Sequence, residues 1–237
     1  MLITVRVRRC GTMPCIIAVT CKPAMPQATY SLLPDERALS RFPILSLDEE
    51  MLVPALGYVF DPKWIWPHES IISILWKFVL ANRLPGHLVT NQVNPKVDPY
   101  EGVIPSLVFV DVRRLSGTLG ISTRLLRRSL LAGSENRQCC SSFRYCRLCS
   151  GLSYHSVLFQ RPSESICPVH KVPLDNTCRS CGREKTHVIN ACILEAPFRC
   201  SFCRRRYGSA FSIANPRPFR REGRVAINRR GIARGLE

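Results

Sequence analysis

The chain has 237 residues, 46% hydrophobic and 22% charged, with 34 Lys+Arg against 17 Asp+Glu for a formal balance of +17. That length holds one or two domains with a real core, and so ordinary a composition excludes both wholesale disorder and a collagen-like repeat. The basic excess is mostly arginine, which pairs bidentately with phosphate, so the charge points toward polyanions.

Residues 1–62 form an unassigned segment in which prolines at 14, 23, 26, 34, 43 and 54 break any long helix. Arg6, Arg8 and Arg9 precede an apolar patch at 15–21, which is at the short limit of a signal-peptide core and is followed by no small-x-small cleavage site. The longest apolar stretch, 71–84, is interrupted by Lys77 and Asn82-Arg83. It falls short of the roughly 18 apolar residues a membrane span needs. The expectation is a soluble, intracellular, cytoplasmic protein.

A helical region is expected over 63–136. Pro67 and Glu69 are start signals, Ile71, Ile74, Leu75, Phe78 and Val79 share one helical face with Lys77 and Asn82 off it, and Leu84-Pro85-Gly86 is a stop. A loop should follow through Asn91, Asn94, Pro95, Asp98, Pro99 and Gly102. Residues 115–131 then spell a short helix, a Gly120 turn and a second helix capped by Ser122 or Thr123. That second helix would carry Arg124, Arg127 and Arg128 outward and Leu125, Leu126 and Leu130 inward. The arrangement resembles a helix-turn-helix, whose second helix enters the major groove; the alternative is an ordinary amphipathic pair with an arginine-rich solvent face.

The second half concentrates both charge and sulfur. Residues 137–237 carry 19 Lys+Arg against 6 Asp+Glu and ten of the thirteen cysteines, whereas residues 1–136 are only +4. An odd cysteine count, no export signal and two-residue spacings favour thiolate ligands over disulfides. Four pairs run in order: Cys146-x-x-Cys149, Cys167-x-x-His170, Cys178-x-x-Cys181 and Cys200-x-x-Cys203. The gap between the first two pairs is 17 residues and between the last two 18, both within the roughly 15–20 of a zinc ribbon. A two-residue gap lets the chain turn into a knuckle offering two donors to one ion.

Pairing could be sequential or crossed. The seven-residue gap between His170 and Cys178 suits two ribbons in series. Site one would then be Cys146, Cys149, Cys167 and His170, and site two Cys178, Cys181, Cys200 and Cys203. Four protein ligands leave no open position, so two Zn2+ ions would be structural, each contributing on the order of 10 kcal/mol to folding. Seven thiolates and two dications would leave the chain at +14, still a polyanion binder. Cys10, Cys15, Cys21, Cys139, Cys140, Cys192, His155 and His187 lack ligand spacing and are expected to be non-ligands. Residues 154–160 and 186–189 read as strands, and Gly151, Gly182 and Gly208 as turn positions with φ > 0. Arginines at 217, 220, 221, 224, 229, 230 and 234 make 208–237 a flexible basic arm.

Two blocks resemble a known family. Pro67-x-Glu69-Ser70-x-x-Ser73 ahead of a Trp76-containing helix is similar to the opening block of the TniQ family. The run Phe143-Arg-Tyr-Cys-Arg-Leu-Cys149, residues 154–160, Cys167-Pro-Val-His170, Pro173-Leu174 and Cys178-Arg-Ser-Cys-Gly182 is similar to its zinc-finger block. The resemblance covers about 64–205 and departs at Arg147-Leu148, where a proline is common, and at Lys171, where a glycine is usual. It implies a bacterial, nucleoid-associated, non-catalytic adaptor in DNA transposition, which binds target DNA and recruits an AAA+ ATPase, with no membrane or small-molecule partner. No long segment follows the zinc block, so recognition of a defined attachment site is not expected. The expected fold is α+β: a small helical N-terminal part, then two tandem zinc ribbons over 137–207. Phosphate contacts are expected at Arg124, Arg127, Arg128, Arg204, Arg205 and Arg206. The competing reading is a stand-alone zinc-ribbon transcription regulator. An enzyme is not expected: no Walker-type loop, no Gly-x-Ser-x-Gly and no deaminase signature is present.

Overall fold

The computed structural model describes residues 57–131, 140–208 and 220–233, all within the compact unit Ser46–Glu237. The expectations for residues 1–56, Cys10, Cys15 and Cys21 included, and those for Cys139, Arg217 and Arg234 lie outside the described residues.

The centre of the fold is α1, Ile71–Asn82. Ser70 caps it by accepting from the Ser73 N–H, and Arg83, at φ 52, ends it in the left-handed conformation. The helix is not amphipathic in the expected sense. Every residue from Ile71 to Val79 is buried, Lys77 included. A helix apolar on nearly all sides belongs inside the fold, with other elements around it. Trp76 Nε1 donates to the Ile193 carbonyl at 2.7 Å, and the Trp76 ring lies 4.8 Å from Phe198 and 5.7 Å from Phe143.

Gly86 does not open a loop, as the stop signal suggested. It begins α2, Gly86–Val93, which carries Asn91 within the helix. Thr90 donates to the Gly86 carbonyl, and a Cβ on Gly86 would collide with the Ala191 carbonyl at the start of the one-turn helix further along the chain. Close helix approach, rather than a turn, is what this glycine provides. Then come α3, Val112–Leu119, capped by Asp111, and α4, Thr123–Arg128, capped by Ser122. Gly120 between them has φ 65, the conformation a glycine adopts without a Cβ penalty.

The remaining helices are short, apart from the last: α5, Arg147–Gly151; α6, Ala191–Leu194; and α7, Arg221–Ile232. The fold among the described residues is helical, without a sheet, so the α+β expectation is corrected. Extended pairing is confined to isolated bridges such as Ser142 with Thr186, Val103 with Ile189 and Tyr145 with Asp175. The strand expected over 154–160 is instead a 3-10 turn, Val157–Gln160, capped by Ser156. Its β-forming residues are chosen for burial, not for pairing: Tyr154, Leu158 and Phe159 are fully enclosed.

One hydrophobic cluster joins α1 to the metal-ligand half of the chain. It contains Trp76, Leu115, Leu126, Phe143, Tyr145, Phe198 and Tyr207 together with Cys178 and Cys200. A second gathers Cys146, Cys149, Tyr154, Phe159 and Cys167 around Ile227 of α7. The flexible arm expected at the C-terminal end thus contains a helix whose Ile227 is 1% exposed. No helix among the described residues is long and apolar enough to cross a membrane.

Candidate metal centres

The eight expected donors fall into two groups, Cys146, Cys149, Cys167 and His170 in one and Cys178, Cys181, Cys200 and Cys203 in the other, each with all donor atoms within 4.8 Å. The grouping is sequential, not crossed.

Local backbone explains how each pair is aimed. In Cys167–His170 the Cys167 N–H bonds the Val172 carbonyl and the Lys171 N–H returns to the Cys167 carbonyl. Cys178–Cys181 repeats this through Arg183 and Gly182, and Cys200–Cys203 through Arg205 and Arg204. In all three the residue four past the first ligand has positive φ: Lys171 54, Gly182 68 and Arg204 59. Only Gly182 is the glycine this position favours. The first pair is built differently. Cys146 sits just ahead of α5 and Cys149 lies within it, with the Ser150 N–H on the Cys146 carbonyl. A helical turn there needs no positive φ, so the expectation for Gly151 is corrected. Gly208 has no positive φ either; a Cβ on it would strike the Arg147 carbonyl and the Gly151 backbone.

The geometry fits a tetrahedral ion. Sulfurs about 2.3 Å from a shared zinc lie roughly 3.8 Å apart along a tetrahedral edge. Cys149 and Cys167 are 3.6 Å apart, Cys178 and Cys203 3.6 Å, and Cys181 and Cys200 3.7 Å. His170 turns Nδ1 toward its group, 3.2 Å from Cys149, 3.6 Å from Cys146 and 3.7 Å from Cys167. A disulfide requires about 2.05 Å, so these are not half-closed bridges.

Charge makes the same demand. Cys167 is pulled down to about 3 by the Cys146 and Cys149 side chains, helped by backbone N–H groups of His170 and Val169, while burial pushes Cys149 up. Burial raises Cys200 to about 12, whereas Cys178, against its own desolvation, is lowered to about 7 by the Cys181 and Ser180 N–H groups. Packed thiols resist ionising together. A dication at the centre removes that conflict, and soft sulfur with imidazole suits zinc. Each group could hold a metal ion, consistent with zinc.

Among the described residues, the expected non-ligands Cys140, Cys192, His155 and His187 stand outside both groups. Cys140 accepts from Arg144 at 3.2 Å, and Cys192 is half-buried on α6. Burial lowers His155 to about 4 and His187 to about 3, holding both neutral.

His155 belongs to a buried network that the sequence did not assign a role. Its Nε2 lies 2.7 Å from the Arg144 carbonyl, which only accepts, so Nε2 carries the proton and Nδ1 accepts from Ser70 Oγ at 2.7 Å. The His155 N–H donates to Ser73 Oγ, which donates to Glu69 Oε1 at 2.6 Å. Glu69 also pairs with Lys77 at 2.6 Å and accepts from the Trp66 N–H, and Lys77 donates to the Trp64 carbonyl. The Glu69-Ser70-x-x-Ser73 block therefore ties α1 to the chain just after the first cysteine pair. The spacing was visible in the sequence; its partner, His155, was not.

The expected phosphate-contact arginines are all exposed. Arg124, Arg127 and Arg128 project from α4 while Leu126 and Leu130 are buried and Leu125 is half-buried. Arg128 borders a cleft of about 320 Å³ shared with His68 and Asn228 of α7. Arg204 donates to the Glu195 carbonyl and lies 3.9 Å from the Glu195 carboxylate, so it is partly committed within the fold.

No protein-family model matches the chain, and no curated protein matches it.

Proposed function

We propose that the chain is a zinc-binding, DNA-associated, non-catalytic adaptor in DNA transposition, one that contacts target DNA through arginine and recruits an AAA+ ATPase. The observation that carries this reading is the pair of complete four-donor groups, which with zinc bound would stiffen a strongly basic half of the molecule. Each set supplies a full tetrahedral shell from protein, the pattern of a structural rather than a catalytic ion. Arg124, Arg127 and Arg128 on α4, the second member of a capped helix pair, and Arg204, Arg205 and Arg206 beside the second group are exposed where phosphates could meet them. Phosphate contacts position a protein without reading sequence, so sequence preference should be weak. The transposition role itself rests on the resemblance of the Glu69-Ser70-x-x-Ser73 and Cys/His blocks to the TniQ family.

The test is metal analysis followed by a pull-down. Purified protein should carry two zinc ions per chain, and bait protein with DNA should retain an AAA+ ATPase from a lysate of its own cells. Recovery of DNA without an ATPase at low salt would favour the transcription-regulator reading, to which the α3–α4 pair lends itself. Protein that folds with no zinc would overturn both.

A further inference from the structure

The second metal group carries an aromatic side chain where solvent can reach it. Phe202, between the ligands Cys200 and Cys203, is 45% exposed. Two cations from the facing knuckle lie over its ring, the Arg183 guanidinium 5.1 Å and the Lys185 ammonium 5.6 Å from the centroid. The next exposed side chains along the chain are Arg204 and Arg205. Of the neighbouring carboxylates in sequence, Glu195 lies 3.9 Å from Arg204, and Glu184 accepts from Ser142 and keeps its charge beside Arg183 and Lys185. An aromatic ring is a costly side chain to leave in water, and one framed by cations has the composition of a site that stacks a base and grips its phosphates.

We propose that this knuckle tip is a stacking platform for an unpaired base of a DNA strand, with Phe202 beneath the base and Arg183, Lys185 and Arg205 on the flanking phosphates. The proposal rests on the DNA-association reading and deepens it by naming the form of DNA. In a duplex the base faces are covered by their neighbours, so Phe202 adds nothing there and only the charges act. A melted or displaced segment exposes those faces. Arg183 and Lys185, which lie over the ring in the free protein, move off its face onto the phosphates as the base stacks.

The experiment compares binding of fluorescein-labelled oligo(dT) and of a labelled duplex by the metal-loaded full chain, read by anisotropy across a salt series. Phe202→Leu should weaken oligo(dT) binding about tenfold or more with an unchanged salt slope and leave duplex binding as it was. Phe202→Tyr, which keeps the ring, should bind as the parent does. Arg205→Ala should weaken both DNAs and lower the salt slope by about one. Zinc content, measured on every variant, reports whether the knuckle is intact. Full oligo(dT) affinity in Phe202→Leu, or a parent protein that binds only duplex, overturns the platform and leaves the DNA reading standing. A parent protein that binds neither DNA at low salt overturns both.

Discussion

Lys77→Met should destabilise the protein by an amount that grows with pH, because of what it leaves behind. The Lys77 ammonium and the Glu69 carboxylate are 2% and 0% exposed and 2.6 Å apart. Removing the ammonium strands the carboxylate, whose pKa burial already raises with Lys77 beside it. An uncompensated buried carboxylate takes the cheaper course and binds a proton. Its ordinary pKa is 4.5, so taking up that proton costs 1.36 kcal/mol for each pH unit above it. The sign follows: a carboxyl whose folded pKa is raised binds protons more readily folded than unfolded, so stability is lost as pH rises. The parent already carries part of this cost because its own Glu69 is raised, so the excess penalty of Lys77→Met should grow with pH and reach at most about 4 kcal/mol at pH 7.5. Urea unfolding followed by tryptophan fluorescence at pH 5.5 and pH 7.5 measures this, and comparison with the parent at each pH cancels metal-ligand titration. Adding Glu69→Gln removes the titrating group and keeps one acceptor oxygen, which can serve the Trp66 N–H while the Ser73 hydroxyl turns to accept from the amide NH2. The double variant should therefore be less destabilised at pH 7.5 than Lys77→Met alone, with a flat profile. A Lys77→Met penalty independent of pH, or a double variant equal to the sum of the singles, would refute the reasoning.

His155 and His187, held neutral by burial at about 4 and about 3, must charge on unfolding, so they contribute stability that is present above the ordinary pKa of 6.5 and lost as pH falls through it. His155→Gln should remove up to about 3 kcal/mol of the acid-induced loss between pH 6.5 and 4, measured by denaturant titration along that range. At the knuckles, Gly182→Ala adds a Cβ with nothing within 4 Å, so its cost of about 1 kcal/mol is conformational alone, whereas Lys171→Gly should be neutral or stabilising by up to about 1 kcal/mol in thermal unfolding. His170→Ala should speed tryptic cleavage within α7, because Ile227 packs on the first metal group, while Cys181→Ser should leave α7 protected. Each of the last two variants should retain one zinc ion.

The two four-donor groups were legible because their signal is local. A two-residue spacing is set by how far a knuckle can reach, and it survives whatever the intervening chain does. The intervening chain was not legible for the same reason. Residues 154–160 carry β-forming types, yet they make a 3-10 turn, since Tyr154 and Phe159 pack on the first metal group and neither needs a neighbouring strand. The face pattern of α1 misplaced Lys77, because periodicity separates core from solvent only when a charge has no buried partner, and Glu69 lies eight residues away, before the helix begins. Ile227 was hidden in an arginine-rich stretch whose composition resembles a solvated arm.

The network around His155 bears on how far the two halves of the chain act as one. Ser70 is at once the cap of α1 and the donor to His155, and Ser73 is the first-turn residue that both receives the His155 N–H and bonds Glu69. At the helix start the Ser70 N–H goes to the His155 carbonyl, beyond Cys149, while the Ile71 N–H goes to the Ser129 carbonyl and the Ser73 N–H to Ser70 Oγ, so part of the cap depends on the chain after the first cysteine pair. The second metal group reaches α1 by another route, since Cys178 and Cys200 share a cluster with Trp76 and Phe198. Both metal groups thus lean on one helix. A ribbon with little core of its own would unfold alone on losing its ion. Here, removing either ion should loosen Trp76 as well, and in a Trp64→Phe, Trp66→Phe background, which leaves Trp76 as the reporter, a chelator should shift its fluorescence together with the loss of helical signal in far-ultraviolet circular dichroism. A Trp76 emission that stays constant while zinc leaves would show that the helical half stands independently of the metal half.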